Sequence, residues 1–134
     1  MAFIFFNPNP AGKFVGDCVI RAISKATGQS WEKTYIGIVE KGLNMRDMPS
    51  ANRVWAAYLK DLGFNKYIIP NTCPECYSIR DFAYENPNGV FILGTGTHVV
   101  CVCDGNYYDT WDSGDETPIY FFKKELLNNG LQSL

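Results

Sequence analysis

The sequence predicts an α+β domain in which N-terminal helices pack on a small antiparallel β-sheet. Three observations predict it. Helical periodicity fills the first half of the 134 residues, short strand-like runs fill the second, and hairpin-type turn residues separate the last of those runs. A chain of this length builds one continuous core, so residues 1–134 are expected to form a single domain.

The elements follow in order. After Asn7-Pro8-Asn9-Pro10, Asp17 stands at the N-cap of a predicted helix from Cys18 to Ala26, which stops at Thr27-Gly28. Ser30 opens a second helix through about Gly42. Ser50, after Pro49, opens a third from Ala51 to Leu62, with Val54, Trp55, Tyr58, Leu59 and Leu62 on one face. From Tyr67 the pattern changes. A strand-like Tyr67-Ile68-Ile69 leads through a Cys73-Pro74-Glu75-Cys76 loop to a short helix from Ser78 to Tyr84. Strands are predicted at Val90–Gly94, His98–Cys103, Tyr107–Asp112 and Ile119–Phe122, the middle two flanking the turn Asp104-Gly105-Asn106. The aromatic clusters Phe3-Phe5-Phe6, Tyr107-Tyr108 and Tyr120-Phe121-Phe122 read as core and sheet faces, and the tail from Lys123 to Leu134 as one short helix at most.

Composition narrows the function. A formal net charge of -2, with no run of Lys or Arg, lacks the electrostatic footprint of a nucleic-acid binder. No segment reaches the roughly 20 apolar residues of a membrane span, and Met1 to Phe6 lacks the basic region and cleavage site of a signal peptide. Five cysteines leave at least one unpaired, which fits a reducing, cytoplasmic setting. Cys73 and Cys76 have zinc-knuckle spacing without a second such pair. They read as loop thiols able to form a reversible disulfide, ahead of a four-cysteine site with Cys101 and Cys103. Gly94-Thr95-Gly96-Thr97 lacks the spacing and following helix of a phosphate loop. Neither a metal nor a cofactor is expected.

The residues suited to chemistry are few. Cys18, in the first turn of its helix, has unsatisfied backbone N–H groups and the positive end of the helix dipole beside it, which favour a thiolate. Its own N–H is half of an oxyanion hole. His98, the only histidine, begins a strand after a flexible Thr-Gly-Thr corner. The next strand carries Asp109 and Asp112 around Trp111. A three-residue turn pairs His98 with Asp112, and an even-numbered turn puts Asp109 and Trp111 on the histidine's face. Either acid can fix the imidazole tautomer; hairpin arithmetic favours Asp112. Arg21, one turn after Asp17, is read as its salt-bridge or packing partner, with substrate binding as the alternative.

Gly16-Asp17-Cys18-Val19-Ile20-Arg21-Ala22, His98-Val99-Val100 and Asp104-Gly105-Asn106-Tyr107-Tyr108-Asp109-Thr110-Trp111-Asp112 together resemble the papain-like cysteine peptidases, in particular small bacterial and phage proteins of that superfamily. The resemblance runs from about Asn7 to Tyr120. It implies attack of the Cys18 thiolate on a carbonyl, protonation of the leaving group by His98, and hydrolysis of the thioester. The substrate would be a protein or peptide, cleaved at a peptide or isopeptide bond. The family's tryptophan after the acid matches Trp111 if Asp109 is the third member. Its oxyanion glutamine has no counterpart, since Gly12 stands six residues upstream of Cys18; Asn9, Asn7 or Lys13 is the candidate substitute. Two alternatives accompany this reading: a transglutaminase-like thiol acyltransferase, and a non-enzymatic binding protein that keeps the fold with an impaired site.

Overall fold

The computed structural model describes residues 2–125. Four helices and one six-stranded mixed sheet make an α+β fold. Strand β1 (Phe3–Phe5) is followed by helices α1 (Cys18–Thr27), α2 (Trp31–Met45) and α3 (Asn52–Asp61), then β2 (Phe64–Ile68) and α4 (Ile79–Glu85). Strands β3 (Val90–Gly94), β4 (Val99–Cys103), β5 (Asn106–Asp109) and β6 (Tyr120–Lys124) complete it. The sheet order is β1-β5-β4-β3-β6-β2. Any helix in the tail beyond Glu125 lies outside the described residues, while Lys123 and Lys124 end β6.

Period-2 alternation in the central strands supplies two cores, one on each face of the sheet. Ile92, Val99, Cys101 and Phe122 face α1 and α3, where Ile23, Val54, Trp55 and Leu59 meet them. Phe91, Leu93, Val100, Val102 and Tyr107 face the other way, onto Ile79, Phe82 and Ala83 of α4. Each of these fully buried large side chains contributes about 1.5–3 kcal/mol relative to exposure.

Local signals explain the helix ends. Gly28 closes α1 in the left-handed region at φ 74°, and the Ser30 hydroxyl accepts from Lys33 N to open α2. Ser78 and Asp81 form a reciprocal capping box on α4. Helix α3 begins one residue later than predicted, with Ala51 in place of Ser50 at its N-cap. Cys73 and Cys76 are joined by the disulfide their spacing allows, and so joined they cannot both ligate a zinc with Cys101 and Cys103.

The sheet departs from expectation in its bounds and its pairing: β2 begins at Phe64 and not at Tyr67, and β5 ends at Asp109, so Asp112 lies beyond the strand. Phe3–Phe5 forms an edge strand parallel to β5, pairing Phe3 with Tyr107 and Phe5 with Asp109, so the sheet is mixed and not purely antiparallel. The expected hairpin register also differs. Cys103 pairs with Asn106 and Val102 with Tyr107, which leaves a two-residue turn, Asp104-Gly105. Both residues take positive φ, 49° and 82°, as a type I′ turn requires, and its twist matches that of the flanking strands. This even-numbered turn overturns the three-residue arithmetic behind the His98–Asp112 pairing.

Candidate active site

Helix α1 and the top of the central sheet converge on Cys18. As the first residue of α1, Cys18 presents a half-buried thiol to the start of β4, where the His98 ring and the Val99 N–H act on its sulfur. His98 is fixed by the tight turn before it: Thr95 N donates to His98 O at 2.9 Å, and His98 N donates to Thr95 Oγ1 at 3.1 Å. Gly96, at φ 99°, makes that turn possible.

The His98 Nε2 lies 2.6 Å from Asp109 Oδ2. Asp109 is a carboxylate among donors, so Nε2 carries the proton and Nδ1 is the nitrogen left for Cys18. All four acceptor positions of Asp109 are used. Oδ1 takes Arg21 Nη2 at 2.9 Å and Thr110 N at 2.8 Å, and Oδ2 takes His98 and, at 2.7 Å, the buried Ser113 hydroxyl. Trp111, about half exposed, lays its ring 4.8 Å from the imidazole and covers one side of it.

Behind this line of three, Arg21 ties helix to sheet. Its guanidinium bridges Asp17 Oδ1 at 2.5 Å and Asp109 Oδ1, and all three side chains are buried. Asp17 occupies the N-cap position, yet its carboxylate makes no capping bond. It faces Arg21 and accepts from Trp31 Nε1 at 2.8 Å. The expected Asp17–Arg21 pair is therefore present, with Asp109 added as a second partner.

The electrostatics follow from these contacts. Burial works to raise the Cys18 thiol, but the His98 hydrogen bond, the Val99 N–H and the charges of His98 and Arg21 together hold it below its ordinary 9.0. Burial works to lower His98, and the bonds to Asp109 and Cys18 outweigh it, raising the imidazole from 6.5 to about 9. For Asp109 burial again opposes ionisation, and the His98 and Ser113 bonds prevail to keep it below the usual carboxylate range. A thiolate facing an imidazolium is the state these shifts favour. The other free thiols differ: burial pushes Cys101, fully enclosed, far up, and raises Cys103 too.

A pH profile checks this. Cys18 gains its thiolate as pH rises through a value below 9.0, and His98 remains charged until about 9. Alkylation of Cys18 by iodoacetamide should thus rise with a midpoint below that of an ordinary thiol. Replacing His98 with Gln should move the midpoint upward, and an unchanged midpoint would refute the pairing.

The other candidates sit elsewhere. Asp112 accepts the Tyr107 hydroxyl at 2.6 Å and Gly114 N at 3.0 Å, with Arg80 3.5 Å away, and is half exposed. Asn7 donates to Lys13 O and accepts from Asn9 N, while Asn9 accepts from Ala11 N, so both stabilise the 7–13 loop. Residue reading missed Ser113, whose signal was only a Ser-Gly pair in a turn. An apolar cleft of about 370 Å³ flanks the start of α1 along Gly16, Val19, Ile20 and Tyr35, but neither Cys18 nor His98 lines it. Among the described residues, no group of three or more His, Cys, Asp or Glu side chains could hold a metal, and no helix is long and apolar enough to cross a membrane. Comparison with family models, with curated proteins and with solved structures finds no match to this chain.

Proposed function

We propose that the chain is a papain-like cysteine peptidase, cleaving a peptide or isopeptide bond through a thioacyl-enzyme. The observation that carries the reading is the line Cys18, His98, Asp109, in which a half-buried thiol at the start of a helix lies beside the imidazole, and one imidazole nitrogen rests on a saturated carboxylate. Nucleophile, base and orienting acid are the three parts that acyl transfer from an unactivated amide requires. His98 would first stabilise the thiolate, then pass its proton to the leaving nitrogen, then activate the water that releases the acyl group. Asp109 keeps the imidazole in the one tautomer that allows this, and Trp111 limits access of water to that bond. Cytoplasmic residence belongs to the same reading, since Cys18 acts only as a free thiol.

The test is a library of random-sequence peptides incubated with the protein and read by mass spectrometry. New peptide termini should accumulate with the wild type and disappear with Cys18→Ala. Added primary amine would appear on the new carbonyl ends if transfer competes with hydrolysis. The absence of any Cys18-dependent product would overturn the reading in favour of a binding protein.

A further inference from the structure

Stabilising a tetrahedral intermediate takes two donors, and the Cys18 N–H is only one. Of the sequence candidates for the other, Asn7 donates its amide to Lys13 O, Asn9 is tied into the same loop through its Oδ1, and Lys13 is exposed. A different group stands close to the thiol. Tyr120 begins β6 and pairs with Gly94 of β3, which pairs in turn with Val99 of β4, the residue whose N–H meets the Cys18 sulfur. Directly paired residues share a face of the sheet, and here it is the face toward α1.

The Tyr120 ring reaches across Gly94. A Cβ at that position would overlap the far edge of the ring and its hydroxyl, so glycine is what lets the phenol lie flat over β3 with its hydroxyl directed toward β4. Trp55 and Phe122 hold the ring from two sides, and the Lys66 ammonium sits 4.6 Å from its centroid. Cys18 and Tyr120 pack against the same core cluster. Among the described residues, the hydroxyl has no hydrogen-bond partner. Burial raises the Tyr120 phenol, and so does the nearby charge of Cys18; the group stays protonated through the working range and remains a donor.

We propose that the Tyr120 hydroxyl is the second oxyanion donor, acting with the backbone N–H of Cys18. This rests on the reading of Cys18 as an acyl-transfer nucleophile. In the step concerned, the thiolate pair forms the S–C bond and the carbonyl π pair moves to oxygen. That oxygen accepts hydrogen bonds from Cys18 N–H and Tyr120 O–H. Collapse returns the pair to carbon and breaks the bond to the leaving group, which takes the His98 proton if it is an amine. No oxidant or co-reactant is involved. The tyrosine thus fills the place for which the sequence offers no glutamine.

Two probes separate the roles. Acylation of Cys18 by p-nitrophenyl acetate passes through an oxyanion, whereas alkylation by iodoacetamide displaces iodide at carbon and forms none. Tyr120→Phe keeps the ring over Gly94 and removes only the hydroxyl. The variant should acylate about 10²-fold more slowly than the wild type, the loss expected for one oxyanion donor, with alkylation within twofold and an unchanged melting temperature. Acylation at the wild-type rate would overturn the proposal and leave the peptidase reading standing. An equal loss of both rates with an unchanged melting temperature would also overturn it, since the hydroxyl would then act on the thiolate. A wild-type protein inert to both probes would overturn the peptidase reading and this proposal together.

Discussion

Arg21→Met should lower the melting temperature by roughly 10–20 °C, because it removes the one cation between two buried carboxylates. Asp17 and Asp109 each meet the guanidinium within 3 Å, and both are buried. Breaking a buried ionic pair from one side costs about 3–5 kcal/mol, which in a domain of this size corresponds to such a fall. Arg21→Lys should recover only part of it, since a point-like ammonium cannot span two carboxylates as a planar fork does. The pH dependence has a definite sign. In the folded protein Asp109 lies below its ordinary value, so its contribution to stability is present above about 3.9 and is lost as pH falls through the folded value. The bonds to Arg21 are made by the ionised carboxylates, and they weaken as those groups protonate. The gap between variant and wild type should therefore narrow in acid. Thermal melts followed by circular dichroism decide this, and a fall of no more than two or three degrees near neutral pH would show that the bridge is energetically idle.

Arg21 also shows what the sequence could and could not reveal. Its pairing with Asp17 follows from helical spacing, i to i+4, and needs no tertiary knowledge. Its second bond, to Asp109 88 residues away, depends on how α1 lies across β4 and β5. Local signals of the same kind placed α1, α2, α4 and β3 close to their observed bounds, because caps and breaking glycines act within a few residues. The first strand escaped because Phe3–Phe5 is short, largely exposed on one side, and defined only by its parallel partner. Helix α3 slipped by a residue because Ser50 and Ala51 compete for one cap position, and the turn 48–51 decided between them. Cys18 and His98 were legible as a pair: one is a cysteine at a helix start and the other the only histidine. Ser113 and Tyr120 were not, since a serine in a turn and a tyrosine in a strand have many ordinary uses. Tyr120 gains its significance only when Gly94 is seen beneath it.

The choice between Asp109 and Asp112 turned on one residue of turn length, and it leads to the largest expected effect on chemistry. Asp109→Asn should slow Cys18-dependent peptide cleavage on the order of 10³-fold or more, while Asp112→Asn stays within about threefold. An amide at 109 no longer offers an anion to the imidazolium. It can also turn its NH₂ toward Nε2 and favour the tautomer that leaves Nδ1 protonated and unable to act as base. Asp112 touches neither His98 nor Cys18; its carboxylate serves Tyr107 and Gly114 at the edge of the turn. Because His98 is the only histidine, its titration can be followed by NMR without assignment ambiguity. In the wild type it should titrate at about 9. Burial, which pulls the value down, persists in Asp109→Asn, while the strongest opposing bond is lost and only the Cys18 contribution remains, so the midpoint should fall. In Asp112→Asn it should not move. A titration that follows Asp112 and ignores Asp109 would require the longer turn, and with it a slip of the β4–β5 hairpin by one residue. Because β4 is held in place by β3, such a slip would turn β5 over and carry Tyr107 out of the core it shares with Phe82, Val100 and Val102. The register that buries Tyr107 is thus the same one that hands His98 to Asp109, and the packing of β5 and the alignment of the site stand or fall together.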